Sequence, residues 1–270
     1  MKTLIACALM SILFLPLMNA EDNPIIVVCT TTALETLAEA VGKENVDVIS
    51  LVQPGVCPSH FDVRPSHITE ISQASLVLYH GVEPWLEDLI KASQNETVEK
   101  VLVQGPWNTP DSAVEKIAVI RNALSQIDPE HANSYTKNAE AAVEEINIMA
   151  DAMKKEAQEL KVDTITVLCM DWQKSFVEWM GFDVAFSYAP PETLSIKDVN
   201  DLIATGRREG AVLVIDNLQS GTELGSEIAA QIDAYHVVLT NFPGAVPETD
   251  TVSKMLEYNA RQLLDAVNRY

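Results

Sequence analysis

Short apolar runs alternate with amphipathic stretches through most of the chain. IIVVC at 25–29 is a continuous apolar run followed by Thr30–Thr32 and then ALETLAEAVG. A run of that length leading into capping residues predicts a buried strand and then a helix. VDVISLVQPG at 46–55 predicts a second strand closed by Pro-Gly, and RPSHITEIS at 64–72 a helix with Ser66 as its N-cap. ASLVLYHG at 74–81 reads as a third strand ending at His80, EPWLEDLIKAS at 83–93 as a helix, and KVLVQG at 100–105 as a fourth strand. Strand and helix alternating at this spacing predict parallel βα units.

The middle of the chain has a different period. From Asp128-Pro129 to Leu160, apolar residues Tyr135, Ala139, Ala142, Ile146, Met149, Met153 and Leu160 recur at three, four and seven, with no further Gly or Pro. This predicts one long amphipathic helix opened by an Asp cap, longer than the usual three turns. Alternation then resumes. TITVLCM, DVAFSY, AVLVIDN and HVVLTN read as strands, separated by helices at DWQKSFVEWMG, SIKDVNDLIATGRREG (capped by Ser195) and GSEIAAQID and closed by the helix in ETDTVSKMLEYNARQLLDAVNRY. The expected fold is therefore α/β: two parallel-sheet lobes, at 24–127 and 162–270, joined by one long backbone helix at 128–161, with a ligand cleft between the lobes.

Composition narrows the function. Eighteen basic against 39 acidic residues give a net charge of −21, which leaves nothing to neutralise phosphates and excludes nucleic acid as a partner. The first twenty residues, MKTLIACALMSILFLPLMNA, carry one Lys, an apolar core and a small residue at Ala20, the pattern of a secretory signal cut after Ala20. LIAC at 4–7 looks like a lipoprotein box but precedes the apolar core instead of following it. The expectation is an exported protein, periplasmic or at the cell surface, with an uncleaved signal as the alternative anchor.

Export changes the meaning of cysteine. Removal of the signal leaves Cys29, Cys57 and Cys169, an odd number. One disulfide, for example Cys29 with Cys57, plus a buried thiol is one arrangement; thiols gathered around a metal is the other. Ligands of open parallel sheets bind at the carboxyl ends of strands. The residues expected there are Cys29, Cys57 with His60, and His80 in the first lobe. In the second they are Cys169 with Met170 and Asp171, Asp216 with Asn217, and Asn241. Cys57 and His60 form a C-x-x-H turn within PGVCPSHFDVRPSH at 54–67. Thiolate and imidazole favour zinc or a softer ion, and Met170 adds a bias to copper(I); manganese prefers oxygen and imidazole. Trp107, Trp172 and Phe242 are either core residues or the lining of a partly apolar pocket for another small solute. His67 lies just inside a helix start; His131 and His236 read as structural, and Asp62 as a capping or surface group. No G-x-S-x-G elbow, Walker loop or dinucleotide glycine fingerprint occurs, so no enzyme is expected.

These residues carry a resemblance to the solute-binding proteins of zinc and manganese ABC importers. LVQPGVCPSHFDVRPSHITEISQASLVLYHGVEPWLEDLI is similar to the family stretch with Pro-Pro-Gly, Asp-Pro-His, Pro-Ser-Asp and Glu-Pro-Trp in that order. WNTP at 107–110, DPEHANSYTKNAEAAVEEI, SFVEWMGF, SIKDVNDLI and MLEYNARQLLDAV extend it over most of the chain. The resemblance implies two lobes, a stiff helix between them, one metal in the cleft, and delivery to a membrane permease subunit by a monomer without catalysis. It also implies three His positions, the third sometimes Glu, and a final carboxylate as ligands. Here those positions fall at Ser59–His60, about Gly105, Met170 and Asn241, so the family's set does not transfer. The rebuilt metal set expected instead is Cys57, His60, Cys169, Cys29 and His80, with Met170, Asp171, Asp216, Asn241 and His67 as further cleft residues. Zinc is the expected cargo, with copper(I) or manganese as alternatives. The other readings are a metal chelate or small organic solute, or an adhesin or scaffold without metal.

Overall fold

A computed structural model describes residues 24–270. The signal expected at 1–20, with Cys7, lies outside the described residues. Strands β1 (Ile25–Cys29), β2 (Val46–Ser50), β3 (Leu76–Tyr79) and β4 (Glu99–Leu102) form a parallel sheet in the order β2-β1-β3-β4. Strands β5 (Thr166–Met170), β6 (Asp183–Tyr188), β7 (Leu213–Asn217) and β8 (Tyr235–Leu239) form a second, in the corresponding order β6-β5-β7-β8. The helices are α1 (Thr32–Gly42), α2 (Pro65–Gln73), α3 (Leu86–Ser93), α4 (Pro110–Ile127), α5 (Ala132–Glu159), α6 (Asp171–Met180), α7 (Ile196–Glu209), α8 (Glu223–Ile232) and α9 (Val252–Arg269). Two parallel-sheet lobes joined by a long helix are what the alternation of apolar runs demands.

Strand parity divides the core. Val27 and Cys29 of β1, and Val167 and Cys169 of β5, face one continuous apolar cluster that also holds Leu34, Ile117, Tyr135, Met153 and Leu263. Their neighbours face away: Val28 packs with Ile71 and Leu86, while Leu168 and Met170 pack with Tyr188, Leu202 and Val214. The alternation follows from side chains pointing to opposite faces along a strand. Both faces of each central strand are thus buried, which is why these strands read as unbroken apolar runs.

Helix α5 runs through that shared cluster. Tyr135, Ala139, Ile146, Met149 and Met153 are buried as the periodicity requires, together with Ala150 and Ala157. Asn138 Nδ2 donates to the Val41 carbonyl at 2.9 Å, and Arg261 of α9 pairs with Glu156, so polar contacts fasten the helix at both ends. The start differs from expectation: residues 129–131 make a tight 3₁₀ turn, and α5 begins at Ala132. Asp128 accepts from the Tyr135 hydroxyl and pairs with His131 Nδ1 at 2.8 Å instead of capping the helix. Helix α2 likewise begins at Pro65, not after Ser66, since proline suits a first turn that needs no N–H. Helix α4 was not expected, although Thr109, Pro110 and Ser112 form a capping box and Ala113, Ile117, Ile120 and Leu124 line its buried face.

Asp216, at the end of β7, is fully buried. Its Oδ1 accepts from the Tyr188 hydroxyl at 2.7 Å and its Oδ2 pairs with His236 Nε2 at 2.8 Å. Gly225 of α8 packs directly on this carboxylate, so that a Cβ there would lie 2.0 Å from Oδ2. Because both oxygens are held, the carboxylate has nowhere to retreat. Gly225→Ala is expected to cost about 1–3 kcal/mol of stability, read as a lower urea midpoint with unchanged slope. An unchanged midpoint contradicts the tight packing.

Candidate functional site

The carboxyl ends of the two sheets face each other, and the segments that leave them line a cleft. After β3 come His80 and Val82 and after β4 Gly105–Asn108, while Thr30 and Thr31 after β1 line neither cavity and bond to Glu83 and His80. After β5 come Asp171–Gln173, after β7 Asn217–Ser220, after β8 Thr240–Phe242. Two adjoining cavities occupy the cleft. The larger, about 390 Å³, is lined by His80, Gly105, Trp107, Asp171, Trp172 and Asn241 among others. The smaller, about 70 Å³, includes Cys57, Ser59, Asn217, Gln219 and Phe242. Val82, Trp107, Trp172 and Asn241 line both.

The first-lobe wall is built on Glu83. Its Oε1 accepts from Thr30 Oγ1 at 2.5 Å and from the His80 N–H at 3.0 Å; its Oε2 accepts from the N–H groups of Gly81 and Val82 at 2.7 and 2.8 Å. This carboxylate is spent on holding the loop. The 57–60 turn, a short 3₁₀ segment at Pro58–His60, is fastened to the same loop by Trp85 Nε1, which donates to the Pro58 carbonyl at 2.8 Å. His80 is 5 % exposed, with Nε2 2.9 Å from Thr31 Oγ1 and its ring centroid 4.4 Å from that of Trp107. Burial pushes the imidazole down to about 4, against the opposing pull of Glu83, so it is neutral at pH 7.

Amides cross between the lobes. Asn108 Nδ2 donates to the Trp172 carbonyl at 2.7 Å and to Asn241 Oδ1 at 3.4 Å, and Gln173 Nε2 donates to the same oxygen at 2.9 Å. Gln219 Nε2 reaches the Pro54 carbonyl and Thr240 Oγ1, both at 2.9 Å, while Thr32 Oγ1 donates to the Pro243 carbonyl at 2.8 Å. Where the family resemblance implies a carboxylate, Asn241 therefore presents an amide whose oxygen is already engaged twice.

Of the expected metal set, Cys57 and His80 line the cleft, and the other three do not. Cys29 and Cys169 are 0 % exposed in the shared core, turned there by strand parity. Burial raises both thiols, with Glu35 adding for Cys29 and Asp171 for Cys169, which reaches about 12. Neither is a thiolate at neutral pH. His60 is exposed on its turn and lines neither cavity. Met170 is buried on the far face of β5, and Asp216 is consumed by Tyr188 and His236. His67 Nδ1 accepts from the Arg64 N–H at 2.9 Å and serves the helix start. Asp171 and Asn241 do line the larger cavity. Among the described residues no three of His, Cys, Asp and Glu converge on a point where they could hold a metal ion, and the three cysteines are free. Asn108, Gln173 and Gln219 carry no motif; Gln219 stands two residues after β7 and Gln173 two after the start of α6, while Asn108 stands two before α4.

His80 gives the site a pH signature. Above its unfolded value of 6.5 both states are neutral; below it the unfolded chain takes up a proton that the folded chain refuses until about pH 4. Stability is therefore lost as pH falls through that window. Relative to His80→Gln, the natural chain should lose about 2 kcal/mol between pH 6.5 and 5, measured by urea denaturation. Parallel pH profiles contradict the burial of a neutral imidazole.

Known proteins share this architecture. The family model described as zinc-uptake complex component A periplasmic matches residues 27–266. The iron-binding protein YfeA of Yersinia pestis is 28% identical over 155 residues, 48% of this chain and 50% of that protein. The manganese-binding lipoprotein MntA of Bacillus subtilis is 24% identical over 208 residues, 68% of each. The chain spans about half the length of several curated relatives it matches, the Yersinia protein among them. A periplasmic metal binding protein from Candidatus Liberibacter asiaticus superposes with a TM-score of 0.78 at 18% identity, covering 90% of this chain and 99% of that one. That likeness shows the fold; the family match over nearly the whole described chain shows more. The chain belongs to the zinc-uptake component A (ZnuA) family of metal ABC transporter solute-binding proteins.

Proposed function

We propose that this chain is the exported solute-binding component of an ABC importer, which holds a solute between its lobes and delivers it to a membrane permease subunit. The observation that supports this is the cleft: the segments that follow β3, β4, β5, β7 and β8, with the turn at 57–59, contribute side chains to it. Export rests on the signal read at 1–20 and on the lipoprotein and periplasmic descriptions of relatives. Among the described residues no helix is long and apolar enough to cross a membrane. The shared core ties both lobes to α5 within one chain, so on this reading a monomer captures its solute by local loop movement rather than by a wide hinge.

The relatives are named for iron and manganese and the family for zinc. In coarse form, the cargo is or contains a metal ion; zinc is the finer reading, with copper(I) and manganese behind it. A second reading, a chelate or small organic solute, is favoured by one observation. Of metal-binding side-chain types, only Cys57, His80 and Asp171 line the two cavities, and no three such groups converge among the described residues.

Native mass spectrometry with elemental analysis, on protein purified without chelator, tests solute capture. One adduct per chain is expected, and returning it should stabilise the stripped protein by about 2.7 kcal/mol at a hundred times Kd. One zinc per chain, lost together in Cys57→Ala and His60→Ala, establishes the bare-ion form. No adduct, and no stabilisation by zinc, copper(I) or manganese under reducing conditions, contradicts capture.

A further inference from the structure

One buried polar atom beside the cleft has no hydrogen-bond partner, Trp107 Nε1, whereas the His80 imidazole next to it meets Thr31 Oγ1 and the Val103 backbone. The two rings lie 4.4 Å apart between centroids, and both residues line the larger cavity. An unmet buried donor costs free energy, and native interiors keep few of them without a reason. The Trp107 N–H needs an acceptor. The nearby amide oxygen of Asn241 is already taken by Asn108 and Gln173.

Two further features describe what could supply it. The first is flat aromatic surface. Trp107 from the first lobe and Trp172 from the second lie 6.5 Å apart at 25°, and both line both cavities. A flat ring stacks on an aromatic face at about 3.5 Å, so a ligand ring lying against Trp172 can present its edge to the rim of Trp107. Trp172 is 46 % exposed, and Phe242 lies against Trp107 at 6.0 Å and 16°.

The second feature is charge. Lys116 of α4 is 2 % exposed; its Nζ donates to the Gln104 carbonyl at 2.7 Å, and among the described residues it forms no salt bridge. That ammonium lies directly behind Gly105, 3.9 Å from where a Cβ would stand. Gly105 is the place where the family resemblance implies an imidazole ligand. The carboxylate that acts on Lys116 is Glu115, exposed on the same helix and not within ion-pair distance; around the cleft, Glu83 has its oxygens tied into backbone N–H groups and Asp171 stands on the lining. A missing ligand with an unpaired cation behind it opposes a bare metal ion and welcomes an anionic oxygen.

We propose that the cleft takes a planar aromatic carboxylate, free or as the organic ligand of a metal chelate, its ring lying against the Trp172 indole and a carboxylate oxygen accepting from Trp107 Nε1 at the edge of that second ring. This rests on the solute-capture reading above and specifies its cargo. The free acid and the chelate share the same recognition chemistry. The role of Trp107 separates from simple packing through Trp107→Phe, which keeps a ring and removes the donor.

The test is calorimetric titration of chelator-stripped protein with zinc alone, picolinate alone and zinc–picolinate, at up to millimolar concentration. The expected result is binding of one or both picolinate probes, no binding of zinc alone, and about tenfold weaker binding or worse in Trp107→Phe. A thermal midpoint shows that this variant is folded, and Lys116→Met gives a second variant expected to weaken the same probes. Binding to picolinate alone assigns the free acid; binding only to zinc–picolinate assigns the chelate. Binding of zinc alone, lost in Cys57→Ala, overturns this inference and leaves solute capture standing. Absence of binding by all three probes, or unchanged picolinate affinity in Trp107→Phe, overturns it as well. The former, joined to the absence of any native adduct, removes solute capture too.

Discussion

The two lobes share one apolar core, and the site depends on that constraint. Both sheets bury one face against the same set of helices, with α5 running through the middle. A continuous core of this kind fixes the lobes relative to one another and turns the carboxyl ends of their strands face to face. It also decides which strand residues remain available for chemistry. Cys29 and Cys169 occupy the inward parity of β1 and β5 and are drawn into the core. The cleft is left to residues just beyond the strands, where parity no longer applies.

The fold was legible because parallel βα units write themselves as apolar runs broken by amphipathic stretches. β1 and β6 stand where the runs stand, and the buried face of α5 follows the spacing of Tyr135, Ala139, Ile146, Met149 and Met153. Helix α4 was passed over although its signals are local: a Thr-Pro start and apolar residues at Ala113, Ile117, Ile120 and Leu124. The site was legible only in part. That strand ends line the cleft is a topological rule, and His80, Asp171 and Asn241 line the larger cavity. Which way a terminal side chain points, and that Asp216 would meet Tyr188 and His236 from other elements, are tertiary facts that no local pattern contains.

The PGVCPSHFDVRPSH stretch divides accordingly. Pro58 and Trp85 fasten its turn to the Glu83 loop, His67 serves a helix start, and His60 faces solvent. Cys57 alone among its metal-binding types reaches the cleft. Charged ligands have given way to amides that link the lobes and to rings that line them. With a buried ammonium behind Gly105, this is a site that recognises shape and a hydrogen-bonding oxygen more readily than a naked cation.

A crystal structure of the protein purified without chelator, with anomalous data at the zinc edge, tests the central claim most directly. The account predicts flat density against Trp172, with an oxygen about 3 Å from Trp107 Nε1, and any anomalous peak held by that density. An anomalous peak bound directly by protein side chains, with no organic density beside it, contradicts the account.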